Sequence, residues 1–209
     1  GLSPQDGGEE RAAPFDEARN GYILGEGCGL LCLEPLERIR QRGAEPYCEI
    51  TGWGLGSSPA PSTDWAEDPE GMILTINRAL RSAGRTAADI DLVMAFANGG
   101  RKPDQLEASA CLQVFGAQPE RPLVTSIKGA VGESFSSGGI RAAAMALAFR
   151  EGWVPPTLGL VSPPASLRLV TRESRKAGLR LALLNAASFG GTYAALLFAT
   201  PWKELGCHP

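Results

Sequence analysis

The sequence predicts an α/β fold whose sheet is covered by helices on both faces, and three observations carry that prediction. Apolar runs of strand length alternate along the chain with segments of helical spacing. The strand-like runs at residues 90–97 and 179–187 are apolar except for Asp91, Arg180 and Asn185, as strands buried on both faces largely are. The chain has 209 residues, 44% of them hydrophobic and 21% charged, which suits a globular unit with its own core.

Residues 1–13 are polar, acidic and Gly/Pro-containing, and read as a flexible lead-in to a folded segment at 14–203. Residues 21–34, GYILGEGCGLLCLE, predict two strands with a tight turn at 25–29, where glycine permits positive φ and close backbone approach. Pro35 opens a short charged helix, PLERIRQRG, that Gly43 stops. A strand at 47–54 leads into a Ser-, Pro- and Asp-rich loop at 56–69. Over 70–83, Met72, Ile73, Ile76, Ala79, Leu80 and Ala83 fall at helical spacing, with Gly84 behind them.

A buried strand at 90–97 precedes a helix at 104–115, whose apolar face carries Leu106, Ala110, Leu112 and Val114. Another strand is predicted at 123–127. Gly138 and Gly139 open the strongly apolar helix IRAAAMALAFREG, and a proline-containing connection fills 153–160. Strands at 179–187 and 193–200, joined by the turn SFGGT, form a hairpin-like end, and residues 204–209 read as a tail.

Charge and cysteine content narrow the function classes. The net charge is −3 and no Lys/Arg run stands out, which argues against nucleic acid or an anionic membrane as principal partner. No apolar run reaches the ~18 residues of a membrane span. The five cysteines form no CxxC pair; Cys28 and Cys32 share one strand face and read as buried thiols, and a reduced cytoplasm fits. Nothing implies a metal or a cofactor. The single histidine, His208, is next to the last residue, a poor place for a positioned acid or base.

Four stretches, in order and at matching spacing, resemble the β-ketoacyl synthases of fatty-acid and polyketide biosynthesis, which have the thiolase-like fold. Residues 14–44, PFDEARNGYILGEGCGLLCLEPLERIRQRGA, resemble that family's PFD-x-x-R-DG-x-x-x-GEG-x-G segment and the helix after it. Residues 90–107 lie where the family carries HGT-x-T-P-x-x-D-x-x-E, and residues 124–139 where it carries K-x-x-x-GH and a small-residue helix start. NAASFGGTY at 185–193 is similar to NSFGFGGTN. The resemblance implies the C-terminal half of a thiolase-like fold, a mixed sheet covered by helices and completed by an N-terminal half.

Family condensation uses a cysteine thiolate to carry the acyl chain, and two imidazoles that polarise the malonyl thioester carbonyl and stabilise the enolate. The nucleophilic cysteine belongs to the N-terminal half, and no cysteine here matches it. Aligned through Asp104 and Glu107, the first histidine position falls on Phe96; the second falls on Glu133. A phenyl ring offers no conventional hydrogen-bond donor, and a carboxylate repels an enolate unless burial keeps it protonated. The threonines and proline after the first position are replaced by Asn98, Gly100 and Arg101.

Lys128 stands at the family's lysine, whereas the glutamate expected on the next helix reads as Ala142, beside Arg141. Lys128 and Glu133 either pair in a vacated pocket or form a surface pair of little consequence. Asp104 and Glu107 suit a structural role near a helix N-terminus. Phe189 is either a packed core aromatic or a residue beside the site entrance. Gly190 and Gly191, like Gly25, Gly27 and Gly29, suit tight turns and close packing at least as well as catalysis.

A ketosynthase-like chain without its histidines resembles the chain-length factor of type II polyketide synthases. The resemblance implies a non-catalytic subunit that pairs with an active ketosynthase and shapes the elongation tunnel, while an acyl carrier protein delivers substrates. It further implies pairing with the N-terminal half of the same subunit, because half of such a fold would expose a large apolar face. The start at Gly1 without methionine favours a cleaved longer subunit over a split gene. Two other readings stay open: a structural pseudo-enzyme that stabilises a ketosynthase without setting length, and an acyl hydrolase or transferase built on Glu133 and Lys128.

Overall fold

The computed structural model describes residues 1–116, 120, 122–135 and 137–201; the predicted tail and His208 lie outside them. In chain order the elements are α1 (Leu36–Gln41), β1 (Glu49–Ser57), α2 (Glu70–Ser82), a 3₁₀ turn at Ala87–Asp89, β2 (Leu92–Met94) and α3 (Arg101–Phe115). After them come β3 (Leu123–Thr125), α4 (Lys128–Val131), α5 (Gly138–Glu151), β4 (Trp153–Val154), β5 (Arg168–Leu169), β6 (Arg175–Lys176), β7 (Leu181–Ser188) and β8 (Thr192–Ala199).

Six strands form one mixed sheet in the order β1-β8-β7-β2-β3-β5, antiparallel from β1 to β7 and parallel from β7 to β5. β4 lies in the predicted proline-containing connection at 153–160 and makes a separate antiparallel pair with β6, a strand the sequence did not predict. The period-two alternation of β7 assigns its side chains to two cores. Leu181 and Leu183 pack with Met72, Ile76 and Leu80 of α2 and with Leu106 and Phe115 of α3. Ala182 and Leu184 pack on the opposite face with Ala142, Met145 and Ala148 of α5. Each fully buried Leu, Ile, Met or Phe contributes roughly 1.5–3 kcal/mol, and the helical spacing of the α2 residues delivers several of them to one stripe.

The two faces are covered to different extents. On the α2 side, Gly52, Gly54 and Gly56 of β1 admit the helix so closely that a Cβ on Gly54 would stand 2.1 Å from the Thr75 carbonyl oxygen. The alternate β1 side chains, Trp53 and Leu55, point to the other face and remain 64% and 66% exposed. Leu147 of α5 is also exposed.

Three expectations are corrected by the structure. Residues 21–34 form no strand pair: their bridges join Tyr22 to Leu2 and Leu24 to Glu133, and no strand among the described residues pairs with the remainder. Leu30 and Leu33 are exposed there, and Cys28 and Cys32 are exposed thiols, not buried ones. The glycines of this segment serve close approach; a Cβ on Gly25 would meet the Val131 carbonyl oxygen at 1.9 Å, and one on Gly29 the Gly139 backbone at 2.3 Å. Finally, the ladders of β2 and β3 end at Met94 and Thr125, short of the predicted strands: beyond Ala95, whose N–H donates to the Thr125 carbonyl, Glu107 takes the amides of Phe96 and Ala97, and Thr157 Oγ1 takes that of Ser126.

Residues 1–13 carry no helix or strand beyond the Leu2 bridge, although Ser3 N–H donates to the Tyr22 carbonyl and Ser3 Oγ to Asn20. At the far end, β7 and β8 make the predicted hairpin, turned by Gly190 and Gly191 at φ 77° and 71°.

Candidate functional site

The site sits where the parallel strands end. Ala95 N–H still donates to the Thr125 carbonyl at 2.8 Å; beyond it the amides of residues 96–99 are captured by two carboxylates of α3. Phe96 N–H donates to Glu107 Oε1 at 2.9 Å and Ala97 N–H to Glu107 Oε2 at 2.7 Å. Asn98 N–H donates to Asp104 Oδ1, Gly99 N–H reaches both Asp104 oxygens, and Phe15 N–H donates to Asp104 Oδ2. Asn185 Nδ2 of β7 also donates to Glu107 Oε1 at 2.8 Å. Asp104 and Glu107 therefore brace the loop that precedes their helix. They occur one turn apart because that spacing puts both on the same helix face.

Burial pushes Asp104 up to about 6; amide bonds from Phe15 and Asn98 and the Arg19 guanidinium oppose the shift without cancelling it. Glu107 is likewise raised, by burial first. Phe15 holds a left-handed backbone at φ 62°, costly for an aromatic residue, with its amide fixed on Asp104.

Of the two alternatives for Lys128 and Glu133, the buried pair is the one formed. Lys128 Nζ lies 2.5 Å from Glu133 Oε2, with side chains 1% and 4% exposed. Asn98 Nδ2 donates to the same oxygen at 2.8 Å, and Phe135 N–H donates to Oε1. Burial raises the Glu133 carboxyl, but the Lys128 charge and these hydrogen bonds outweigh it and hold the group below the ordinary carboxylate range. Burial and the nearby Arg141 charge lower Lys128 to about 8 against the pull of Glu133. Both partners are charged at neutral pH. The Lys128 ammonium also stands 3.9 Å from the centroid of the Phe96 ring, a cation–π contact.

Four contributors to the site were not read as functional. Trp65, from the Ser/Pro/Asp loop, is buried against Phe96 and Phe189, with ring centroids 5.3 and 4.9 Å away. Arg141 is 2% exposed; its Nη1 donates to the carbonyls of Ala95 and Asn185, and burial lowers its pKa. Asn98 and Asn185 tie carboxylates to neighbouring elements. A tryptophan in an otherwise polar loop and an arginine inside an apolar helix were the available signals.

These residues enclose a cleft of about 140 Å³. Trp65, Phe96, Phe189, Tyr22 and Phe135 contribute aromatic surface, and Asn98, Glu133, Ser137 and Arg141 contribute polar groups. Phe189, whose position was left open, is half-buried on the cleft wall. Gly190 and Gly191 form the adjoining turn. Among the described residues no cluster of His, Cys, Asp and Glu is arranged to hold a metal ion, and no helix is long and apolar enough to cross a membrane.

The mixed sheet, the carboxylate-braced loop and the lysine beside it define a ketosynthase-type scaffold. Residues 47–161 match the family described as Beta-ketoacyl synthase, C-terminal domain, and the chain belongs to that family. It is 38% identical over 201 residues to the 3-oxoacyl-[acyl-carrier-protein] synthase 2 of Rhizobium meliloti, covering 94% of this chain and 48% of the relative. It is 35% identical to a polyketide beta-ketoacyl synthase 1 of Streptomyces halstedii, over 98% of this chain and 49% of that one. The solved structure of the ishigamide ketosynthase/chain length factor superposes with a TM-score of 0.86 at 31% identity, over 93% of this chain and 48% of that chain. The fold is thus the thiolase-like C-terminal domain, and the chain spans about half the length of the curated relatives it matches.

Proposed function

We propose that this chain is the C-terminal half of a non-catalytic ketosynthase-like subunit, a chain-length factor, acting with an active ketosynthase in polyketide elongation. The observation that carries the reading is the pairing at the two family histidine positions. Phe96 presents a hydrocarbon ring there, and Glu133 presents a carboxylate already bonded to Lys128, Asn98 and the Phe135 amide. Neither group donates a proton or a hydrogen bond to a thioester carbonyl, so the decarboxylation that needs two such donors has no support from these residues. The same bonding argues against a hydrolase or transferase built on Glu133 and Lys128, since base and cation neutralise one another.

The proposed partners are the N-terminal half of the same subunit, an active ketosynthase and an acyl carrier protein; the proposed location is the cytoplasm. The exposed Trp53, Leu55, Leu30 and Leu33 support a covering half. Co-expression with a ketosynthase that keeps its cysteine and both histidines tests the proposal. A stable complex whose product length changes when this subunit is exchanged for a relative is expected. A complex with unchanged length would leave only the stabilising role, and turnover abolished by Glu133→Gln while the ketosynthase is inactive would overturn the non-catalytic reading.

A further inference from the structure

The exposed basic side chains fall into two groups. Arg42, Arg101, Lys102, Arg150 and Arg180 each pair with a carboxylate. The turn between β5 and β7 differs. Arg172, Arg175 and Lys176 are all exposed there, and none of the ion pairs among the described residues includes them. Glu173, the carboxylate between them, makes no ion pair either. Three cations against one carboxylate give this stretch a charge of +2, in a chain whose net charge is −3.

The fold holds these charges in place. The turn leaves the sheet after Val170 and returns at Leu179, both buried in the core under α5. Within it, β6 pairs with β4, which sets Arg175 opposite Val154 and Lys176 opposite Trp153. Val154 is fully buried in the same core and anchors the pair. Ala177 N–H donates to the Gly152 carbonyl and ties the turn to the end of α5. Residues directly opposite in an antiparallel pair project to one face, so Lys176 shares its face with the half-exposed Trp153. Arg172 adopts a left-handed backbone at φ 58°, so a cation occupies a position whose conformation suits glycine better. Because the backbone is already ordered, a partner docking here does not bear the cost of ordering it.

Unpaired cations beside an exposed indole fit one kind of partner. Nucleic acid calls for a longer basic track along its phosphates, and the rest of this chain is acidic. A bilayer calls for more apolar surface than one indole, and the remaining turn side chains include Thr171 and Ser174. A protein surface with carboxylates around an apolar centre meets both features: opposite potentials steer the encounter, and an aromatic side chain supplies the anchor. We propose that the turn carrying β6, together with Trp153, is a docking surface for an acidic protein partner, with Arg172, Arg175 and Lys176 as its cationic rim. None of these residues lines the cleft. The inference is therefore separate from the chain-length reading and is tested without it.

Fluorescence anisotropy on the protein in its native assembly tests this with a labelled peptide of alternating Glu and Ala, and with the matching peptide of Gln and Ala. The Glu peptide is expected to bind at least about ten-fold more tightly, and to weaken as salt is raised. Arg175→Glu combined with Lys176→Glu should lower its affinity roughly ten-fold. Arg81→Glu combined with Arg85→Glu makes the same charge change at exposed positions around the end of α2; it should cost less than about two-fold. Trp153→Ala should cost roughly three-fold and leave the salt dependence unchanged. All of these side chains are exposed, so the variants are expected to fold. No binding of the Glu peptide, or an equal loss in both double variants, would overturn the inference. Tighter binding of a single-stranded oligonucleotide or of phosphatidylserine vesicles would overturn the assignment to a protein partner.

Discussion

The loop at 95–100 and the segment at 21–34 are both excursions outside the regular ladders, and they are held in opposite ways. The first has the amides of residues 96–99 filled by Glu107 and Asp104, two side chains of its own chain, and is almost wholly buried. The second touches the body through a few backbone bonds around Tyr22, Leu24 and Gly25, then runs on with Leu30 90% and Leu33 71% exposed. They meet at Glu133, whose backbone exchanges bonds with Ile23 and Gly25 while its side chain closes the pair with Lys128. The difference separates a part of the scaffold whose polar groups are met within this chain from a part whose apolar surface is left uncovered by the described residues.

The largest test of that contrast is Glu107→Ala. It leaves two buried amides and Asn185 without their acceptor, at a position that is fully buried. A loss of about 3–5 kcal/mol is expected, read as failure to fold or a large drop in the denaturant midpoint. Lys128→Met should cost nearly as much by stranding the Glu133 charge. The double replacement Lys128→Met with Glu133→Leu should be milder than either single change, because an apolar pair removes both desolvation penalties.

A pH series sharpens the same point. Lys128 has its folded pKa lowered from 10.5 to about 8, so between those values the unfolded chain holds more protons than the folded one. Stability should therefore rise as pH increases through this window, by about 3 kcal/mol at most. The rise should be absent from Lys128→Met when unfolding is measured at intervals from pH 8 to 10. The smallest effect belongs to the open segment. Leu33→Asp should change the stability of this chain by no more than ~0.5 kcal/mol yet reduce its recovery with an N-terminal half, measured by co-purification. Thiol labelling should modify Cys28 and Cys32 in the uncovered chain and spare the buried Cys111.

Much of the fold was legible because its signals are local. The helical spacing of Met72, Ile76, Ala79 and Leu80 and the hairpin around Gly190 and Gly191 depend only on period and turn chemistry. The segment at 21–34 was misread for the opposite reason: alternation and glycines identify an extended chain, but pairing requires a neighbouring strand that the segment itself cannot supply. At the site, the family resemblance pointed to Phe96 by counting back from Asp104 and Glu107, and to Lys128 and Glu133 through the K-x-x-x-GH stretch. What Asp104 and Glu107 hold was not legible, since their partners at Phe15 and Asn185 are 89 and 78 residues away. Arg141 was hidden in an apolar helix, where composition argues against a buried cation.

The carboxylate brace has one more consequence. Glu107 grips residues 96 and 97 through their peptide N–H groups, which every residue but proline carries. The loop's course is therefore indifferent to what projects from position 96. A side chain there works like an interchangeable tool in a fixed holder: its chemistry can be altered by single substitutions while the holder keeps its aim.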